Sequence, residues 1–355
     1  MGKRVRTTKH KAAYANQNKL DNLHRFLKEY RRLAQLIVDD IWENGYDEFS
    51  IQDNNLNCPK YIDYKRFDID TFLTARALSS LVTQVAGIIK ASVEKQRKRL
   101  CIYNKKKAEG CSKKKLKPLI RKIKQNIPQK PDCTNINAEL SNKCVDWQDT
   151  EGEFDGFLKI KSIFKDKSTI KIPIKHHKHA RKIMDDGGSL MTSFLISNNF
   201  VNLRWQLPDV PKREDGKKIG CDQGYKDVLT CSDTQVTPKT DNHGHSLESI
   251  IAKLSRKKKG TKAFKRAQTH RQNFINWSIN QLDLTNIKEI GLERVWNIRY
   301  KTRSSRIMSH WTNTLIRDKV EQVCEDNGVR LSHQSSTYRS QRCSGCGSVR
   351  KANRK

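Results

Sequence analysis

The sequence predicts an α/β multidomain protein, and three observations carry that reading. The N-terminal part holds long stretches with apolar residues at helical spacing. Around residue 150 the texture changes to short runs that alternate with period two. From about residue 211 the order becomes strand, hairpin, helix, strand, helix, strand, the pattern of a mixed sheet with packed helices. The expected divisions are 1–149, a helical region with an N-terminal strand; 150–210, a β-rich domain; 211–335, the mixed-sheet domain; and 336–355, the start of a cysteine-bearing insertion.

Each element follows from its residues. Leu20, Leu23, Phe26, Leu27, Tyr30, Leu33, Ile37, Ile41 and Trp42 repeat at helical spacing over 20–43, and Asn44-Gly45 is a stop signal. The Asn- and Asp-rich segment 46–66 reads as loop. A long helix is expected from Asp70 to about Lys107, buried through Leu73, Leu78, Leu81, Val85, Ile89 and Val93. A basic helix should cover Lys113 to Gln125. Residues 157–163 and 169–174 alternate as strands, and Ser197-Asn198-Asn199 splits 190–207 into a strand pair. Lys218 to Asp222 ends a strand, and Val228 to Cys231 begins another. Residues 247–282 read as one long basic helical region. Ile287 to Glu293 is a strand ending in an acid. Trp311 to Asn327 is an amphipathic helix, and Val329 to Ser332 resumes as strand.

Charge narrows the function class. Lys and Arg number 71 against 38 Asp and Glu, a formal net charge of +33, more than solubility requires. Such an excess predicts salt-sensitive attraction to a polyanion through counterion release. The side chains expected to touch nucleic acid are Arg97, Lys98 and Arg99, then Arg256, Lys257, Lys258, Lys259, Lys265, Arg266 and Arg271. The basic N-terminus has no apolar run behind it, and no stretch approaches transmembrane length. The ten cysteines are scattered, and only the last two have motif spacing. A reduced, cytoplasmic protein is expected, with no membrane partner and no small-molecule substrate.

Two carboxylates stand at strand ends: Asp222 in Gly220-Cys221-Asp222-Gln223-Gly224 and Glu293 in Gly291-Leu292-Glu293. Phosphodiester hydrolysis by hard divalent ions needs acids held on rigid elements, so that metal can activate water and stabilise the leaving oxygen. Asp222 as the cap of a β-turn is the simpler reading of its motif taken alone. Near the C-terminus, Cys343 and Cys346 form a Cys-x-x-Cys knuckle with the bite of one zinc, half of a tetrahedral ligand set. Cys324 and Cys221 are poor substitutes for the other half, the first on a helix and the second inside the sheet. His176, His177 and His179 read as a polar loop in preference to a metal site. Asp241, His243 and His245 make a short polar motif without a partner in this scheme.

Together these motifs resemble the TnpB (OrfB-type) proteins of insertion sequences and the related miniature type V CRISPR effectors, clearly from about Pro208 to Lys355. Gly220, Asp222 and Gly224 match the family's first RuvC motif, and Glu293 matches its second. Ser340, Gln341, Cys343, Ser344, Cys346 and Gly347 match the opening of its zinc-binding insertion. The resemblance implies an RNase H-like RuvC nuclease domain, an N-terminal helical recognition lobe and a small β-rich wedge domain. It implies a guide-RNA-directed DNA endonuclease in which Asp222 and Glu293 hold catalytic Mg2+ and Cys343 and Cys346 supply part of a Zn2+ site. The expected partners are guide RNA and a double-stranded DNA target. In the family a second Cys-x-x-Cys and a third RuvC Asp follow, and Asp318 and Asp326 do not stand at that third position. The expectation is therefore a C-terminally truncated chain with an incomplete knuckle and impaired cleavage. The alternatives are a non-cleaving, guide-RNA-dependent DNA-binding protein or transposon relic, and an unrelated RNA-binding protein with structural Asp222 and Glu293.

Overall fold

The computed structural model describes residues 4–44, 51, 52, 55, 56, 63–67, 69–125, 129–295, 307–335 and 346–350. The chain forms two compact units, Met1–Pro208 and Asp209–Lys355.

The first unit is built on two long helices, α1 (Gln17–Asn44) and α2 (Ala75–Ala108). The apolar stripe of α1 is fully buried from Leu23 to Ile41, and the whole of the predicted repeat packs inward. Tyr30 is buried with it, and its hydroxyl donates to Gln84 Oε1 of α2 at 2.8 Å, so the one polar atom in that stripe is satisfied. The second helix begins later than the expected Asp70, because Thr74 caps it by accepting from Ala77 N at 3.3 Å. Phe72 and Leu73 therefore lie ahead of it, and Leu73 forms an isolated bridge to Phe164. A third helix, α3 (Lys113–Gln125), matches its expected bounds.

Two larger antiparallel sheets pack with these helices. One contains, in spatial order, β1 (Arg4–Lys11), β7 (Phe200–Leu207), β6 (Ser189–Ile196) and β2 (Ala138–Ser141). The N-terminal strand pairs along its full length with the strand ending at Leu207, from Arg4↔Leu207 to Lys11↔Phe200. The other contains β3 (Val145–Asp149), β4 (Gly156–Ile160) and β5 (Ile170–Ile174). Besides β1, the strands β2 and β3 thus precede residue 150, where the sequence showed only helix and loop, and the segment expected as loop carries a short antiparallel pair, Ile51–Gln52 with Asn55–Leu56. All are short, and their alternation is too brief to read in isolation. One hydrophobic core runs through α1, α2 and both sheets, across the division the sequence suggests at 150.

The histidine cluster departs from a polar loop at His176, while His177 and His179 are exposed. His177 caps a short helix, α4 (Lys178–Asp185), accepting from Ala180 N. His176 is buried and stacks on Trp147 at 5.5 Å, while His10 stacks on His177 at 4.9 Å. Burial lowers the His176 pKa and drives that of His10 down to about 4, so His10 and His176 pack as neutral aromatics.

The second unit holds a four-stranded sheet in the order β9 (Leu229–Cys231), β8 (Lys217–Gln223), β10 (Ile287–Arg294), β11 (Arg330–Ser335). The first pair is antiparallel, and the next two are parallel. Helices α5 (Leu247–Ser255), α6 (Lys262–Ile279) and α7 (Asn313–Asp326) cover one face. They bury Ile219, Cys221, Ile290 and Leu292 against Ile250, Ile251, Phe274, Ile275, Ile316 and Val320. The single helical region expected over 247–282 is broken in two. The first helix ends at Ser255 with Arg256 as its C-cap; Gly260, at a φ of +88° that favours glycine, turns the connecting segment, and Thr261 caps the next helix on Phe264 N.

Candidate functional site

Strand alternation separates the sheet of the second unit into two chemistries. Along β8, Ile219, Cys221 and Gln223 turn into the helical layer, and Lys218, Gly220 and Asp222 are exposed on the opposite face. Along β10, Ile290 and Leu292 are buried, leaving Glu289, Gly291 and Glu293 on the other side. The parallel ladder aligns Lys218 with Glu289, Gly220 with Gly291 and Cys221 with Leu292. Paired residues share a face, so the next step along the ladder sets Asp222 beside Glu293. Adjacent strands lie about 4.8 Å apart, within reach of a common ion. Thr230 flanks Asp222 on one side and Gln334 flanks Glu293 on the other, making one polar row across four strands.

Three local contacts hold this row. Asp222 Oδ1 accepts from Gln223 N at 2.9 Å. The buried Gln223 side chain donates through Nε2 to Glu293 O at 3.0 Å, tying the ends of the two strands together. Further upstream on the same face, Lys218 pairs with Glu289 at 3.5 Å. Glu289 titrates below its ordinary value, first because Ser332 hydrogen-bonds it, with Lys218 and Arg330 adding attraction. Beside Glu293 a cavity of about 250 Å³ opens toward α7, lined also by Gln223, Asn313, Arg317, Glu321 and His333. Asp318 pairs outward with Arg317 at 2.9 Å.

The two motif glycines do different work. A Cβ on Gly220 would meet nothing within 4 Å, so this glycine leaves open space on the acid face next to Asp222. A Cβ on Gly224 would lie 2.3 Å from Asp227 O, in the tight turn closed by Gly224 N donating to Val228 O. Gly224→Ala is expected to cost roughly 1–3 kcal/mol by forcing backbone apart, a typical overpacking penalty. Gly220→Ala should leave the melting temperature unchanged. Equal melting temperatures for the two variants would show that the turn yields without cost.

A Mg2+ ion fits this donor set. Two carboxylates side by side offer the hard oxygens it prefers, and the open face leaves room for its waters and a phosphate. The zinc expectation is only partly within the described residues. Cys346 is exposed, its thiol 3.2 Å from Ser348 Oγ, while Cys343, with Ser340, Gln341 and Ser344, lies outside them. Cys221 and Cys324 are buried; burial pushes the Cys324 thiol up to about 12, away from the ligating thiolate.

The basic residues divide by exposure. Arg256, Lys258 and Lys259 are exposed in the segment between α5 and α6, with Lys257 half-buried. Lys265 and Arg266 project from α6. Arg271 does not belong with them. It is 7% exposed, and its guanidinium donates to the carbonyl of His310, so packing and not phosphate holds it. In the first unit, Lys98 is exposed, Arg99 is half-buried, and Arg97 is engaged by Glu94 at 2.5 Å. Lys95 and Arg99 line a cleft of about 400 Å³ with Ser92, Gln96 and Lys130, a feature no local motif announces. No helix among the described residues is long and apolar enough to cross a membrane.

The sequence also missed a histidine. Asp241 and His245 are joined in space by His270 of α6, and the three ligating atoms lie within 4.8 Å of one another. Burial, then the neighbouring His245, holds His270 below the ordinary imidazole pKa. Among the described residues, this is where three ligating side chains converge.

No protein-family model matches the chain, and no curated protein does. Among solved structures, the cryo-EM structure of a Cas12f1–sgRNA–target DNA complex is similar over 98% of this chain and 92% of that one, at 13% identity and a TM-score of 0.48. A likeness at that level speaks to neither activity nor partners.

Proposed function

We propose that this chain is an RNA-guided DNA endonuclease of the TnpB type, with Asp222 and Glu293 as carboxylates of a RuvC-like metal site. The observation that supports the reading is the parallel register of their two strands, paired as far as Cys221↔Leu292, whose next step sets Asp222 beside Glu293 on the face away from the helical layer. Mg2+ bound there supplies positive charge to a phosphodiester and lowers the pKa of a bound water. The protein's own part is positioning. Gln223 orients Asp222 through its backbone N–H and holds the Glu293 strand end through its side chain. Gly220 lets a sugar–phosphate backbone approach the acids closely. The exposed cations around Arg256 to Arg266, and those of α2 near Lys98 and Arg99, hold guide RNA and target DNA through phosphates, while base pairing reads sequence. In this reading residues 1–149 and 150–210 act as recognition and wedge parts, and Cys343 and Cys346 take Zn2+ in the insertion.

A second reading, guide-RNA-dependent DNA binding without cleavage, is favoured by one observation. Among the described residues the acid pair is not joined by a third ligating side chain. One experiment separates the two. The full chain is expressed with its flanking DNA, the RNA that co-purifies is sequenced, and duplexes matching that RNA are incubated with the complex in Mg2+ or EDTA. Mg2+-dependent cutting supports the nuclease. RNA-dependent DNA retention without cutting supports the binder. Absence of co-purifying RNA removes both.

A further inference from the structure

We propose that Asp241, His245 and His270 form a transition-metal site, of the Zn2+ class, that clamps the 240–246 hairpin onto helix α6. The site is independent of the acid pair and chemically unlike it. Two imidazoles and one carboxylate suit Zn2+, Co2+ or Ni2+, whereas an all-oxygen pair suits Mg2+.

The backbone builds two of the ligands locally. Thr240 and Ser246 form an isolated antiparallel bridge, and Asp241 N donates to His245 O at 3.0 Å, closing a tight loop. Gly244 turns that loop with a φ of +75°. Asp241 Oδ1 accepts from the backbone N–H of both His243 and His245, each at 2.9 Å. That oxygen is therefore committed to the turn, and Oδ2 is aimed at His245 Nδ1, 3.3 Å away. Two donors about 2.0–2.2 Å from one tetrahedral ion stand about 3.3 Å apart. This edge of the site already has that span, and an ion bound there sits to the side of the line between the two atoms and replaces the proton they share.

The third ligand comes from elsewhere in the chain. His270 sits on α6, half-buried, with its ring edge-on to His245 at 4.8 Å between centroids. The segment leading into the loop is also tied to the same helix by Ser278 Oγ donating to Pro238 O at 3.3 Å, which anchors the backbone beside the ligands. Ser246, directly after the loop, caps α5 in a capping box with Ser249. A metal here thus links the entry of α5 to the middle of α6. Three protein ligands leave a position for water, as in open zinc sites.

The test uses the tag-free 355-residue protein carrying Cys343→Ser and Cys346→Ser, so that the Cys-x-x-Cys pair is removed as a competing site, and compares it with the same protein bearing Asp241→Asn or His270→Asn. Asn at 241 keeps the acceptor that closes the turn, so that variant is expected to fold, as checked by its melting curve in EDTA. Zn2+ is titrated against a chromophoric chelator, and Co2+ is followed by its visible absorption. The expected result is one equivalent of metal and a Co2+ spectrum without thiolate charge transfer. Each variant should weaken binding more than about 100-fold, beyond the 10–100-fold that outer-shell partners carry. No binding by the Cys-to-Ser protein, or binding unchanged by either variant, would overturn the site.

Discussion

Asp222→Asn is expected to abolish Mg2+-dependent DNA cutting by the RNA-loaded chain while leaving its fold and RNA content intact. The substitution keeps an oxygen to accept from Gln223 N, so the local hydrogen bond at 2.9 Å survives. The side chain is exposed, and no apolar packing is lost. What disappears is one negative charge on the metal. A bound divalent ion supplies several kcal/mol of charge stabilisation, and each 1.36 kcal/mol is tenfold in rate, so the loss should reach roughly a thousand-fold or more. Glu293→Gln should match it, because the two carboxylates act on the same ion. The measurement is single-turnover cleavage of an RNA-matched duplex, alongside gel-shift affinity. Cleavage by Asp222→Asn at the parent rate would remove the acid pair from the active centre.

The second large effect is ionic. A chain of net charge +33 that touches six to ten phosphates should lose roughly 10³–10⁵ in affinity for nucleic acid between about 50 and 200 mM salt. Exposure says which cations count. Lys258→Gln, Lys259→Gln and Arg266→Gln should each lower the slope of log affinity against log salt, by about 0.7 to 0.9 for each phosphate no longer neutralised. Arg271→Met should leave the slope alone, since Arg271 is spent on the His310 carbonyl. A flat salt dependence, or a slope moved by Arg271→Met and not by Lys259→Gln, would invalidate the assignment of the basic surface.

The α1 stripe was legible residue by residue because helix periodicity is local: apolar residues three or four positions apart from Leu23 to Ile41 are buried together. The break between Ser255 and Lys262, turned by Gly260, was obscured by its surroundings. Lysines and arginines on both sides suit a helix, and the left-handed turn rests on one residue. Arg266 and Arg271 looked alike in sequence, one exposed and the other buried, because charge density says nothing about which side of a helix meets a core.

What the sequence determined by itself is which residues share a face of their own element. Alternation in β8 sets Asp222 opposite Ile219 and Cys221, and the helical repeat does the same for α1. Which faces meet was left to the tertiary structure. The neighbour of Asp222 is supplied by a parallel strand about seventy residues later, and the partner of Asp241 and His245 by a helix beyond the Gly260 break. Parallel pairing and helix packing join segments distant along the chain, and their register depends on both partners at once, so no local pattern encodes it.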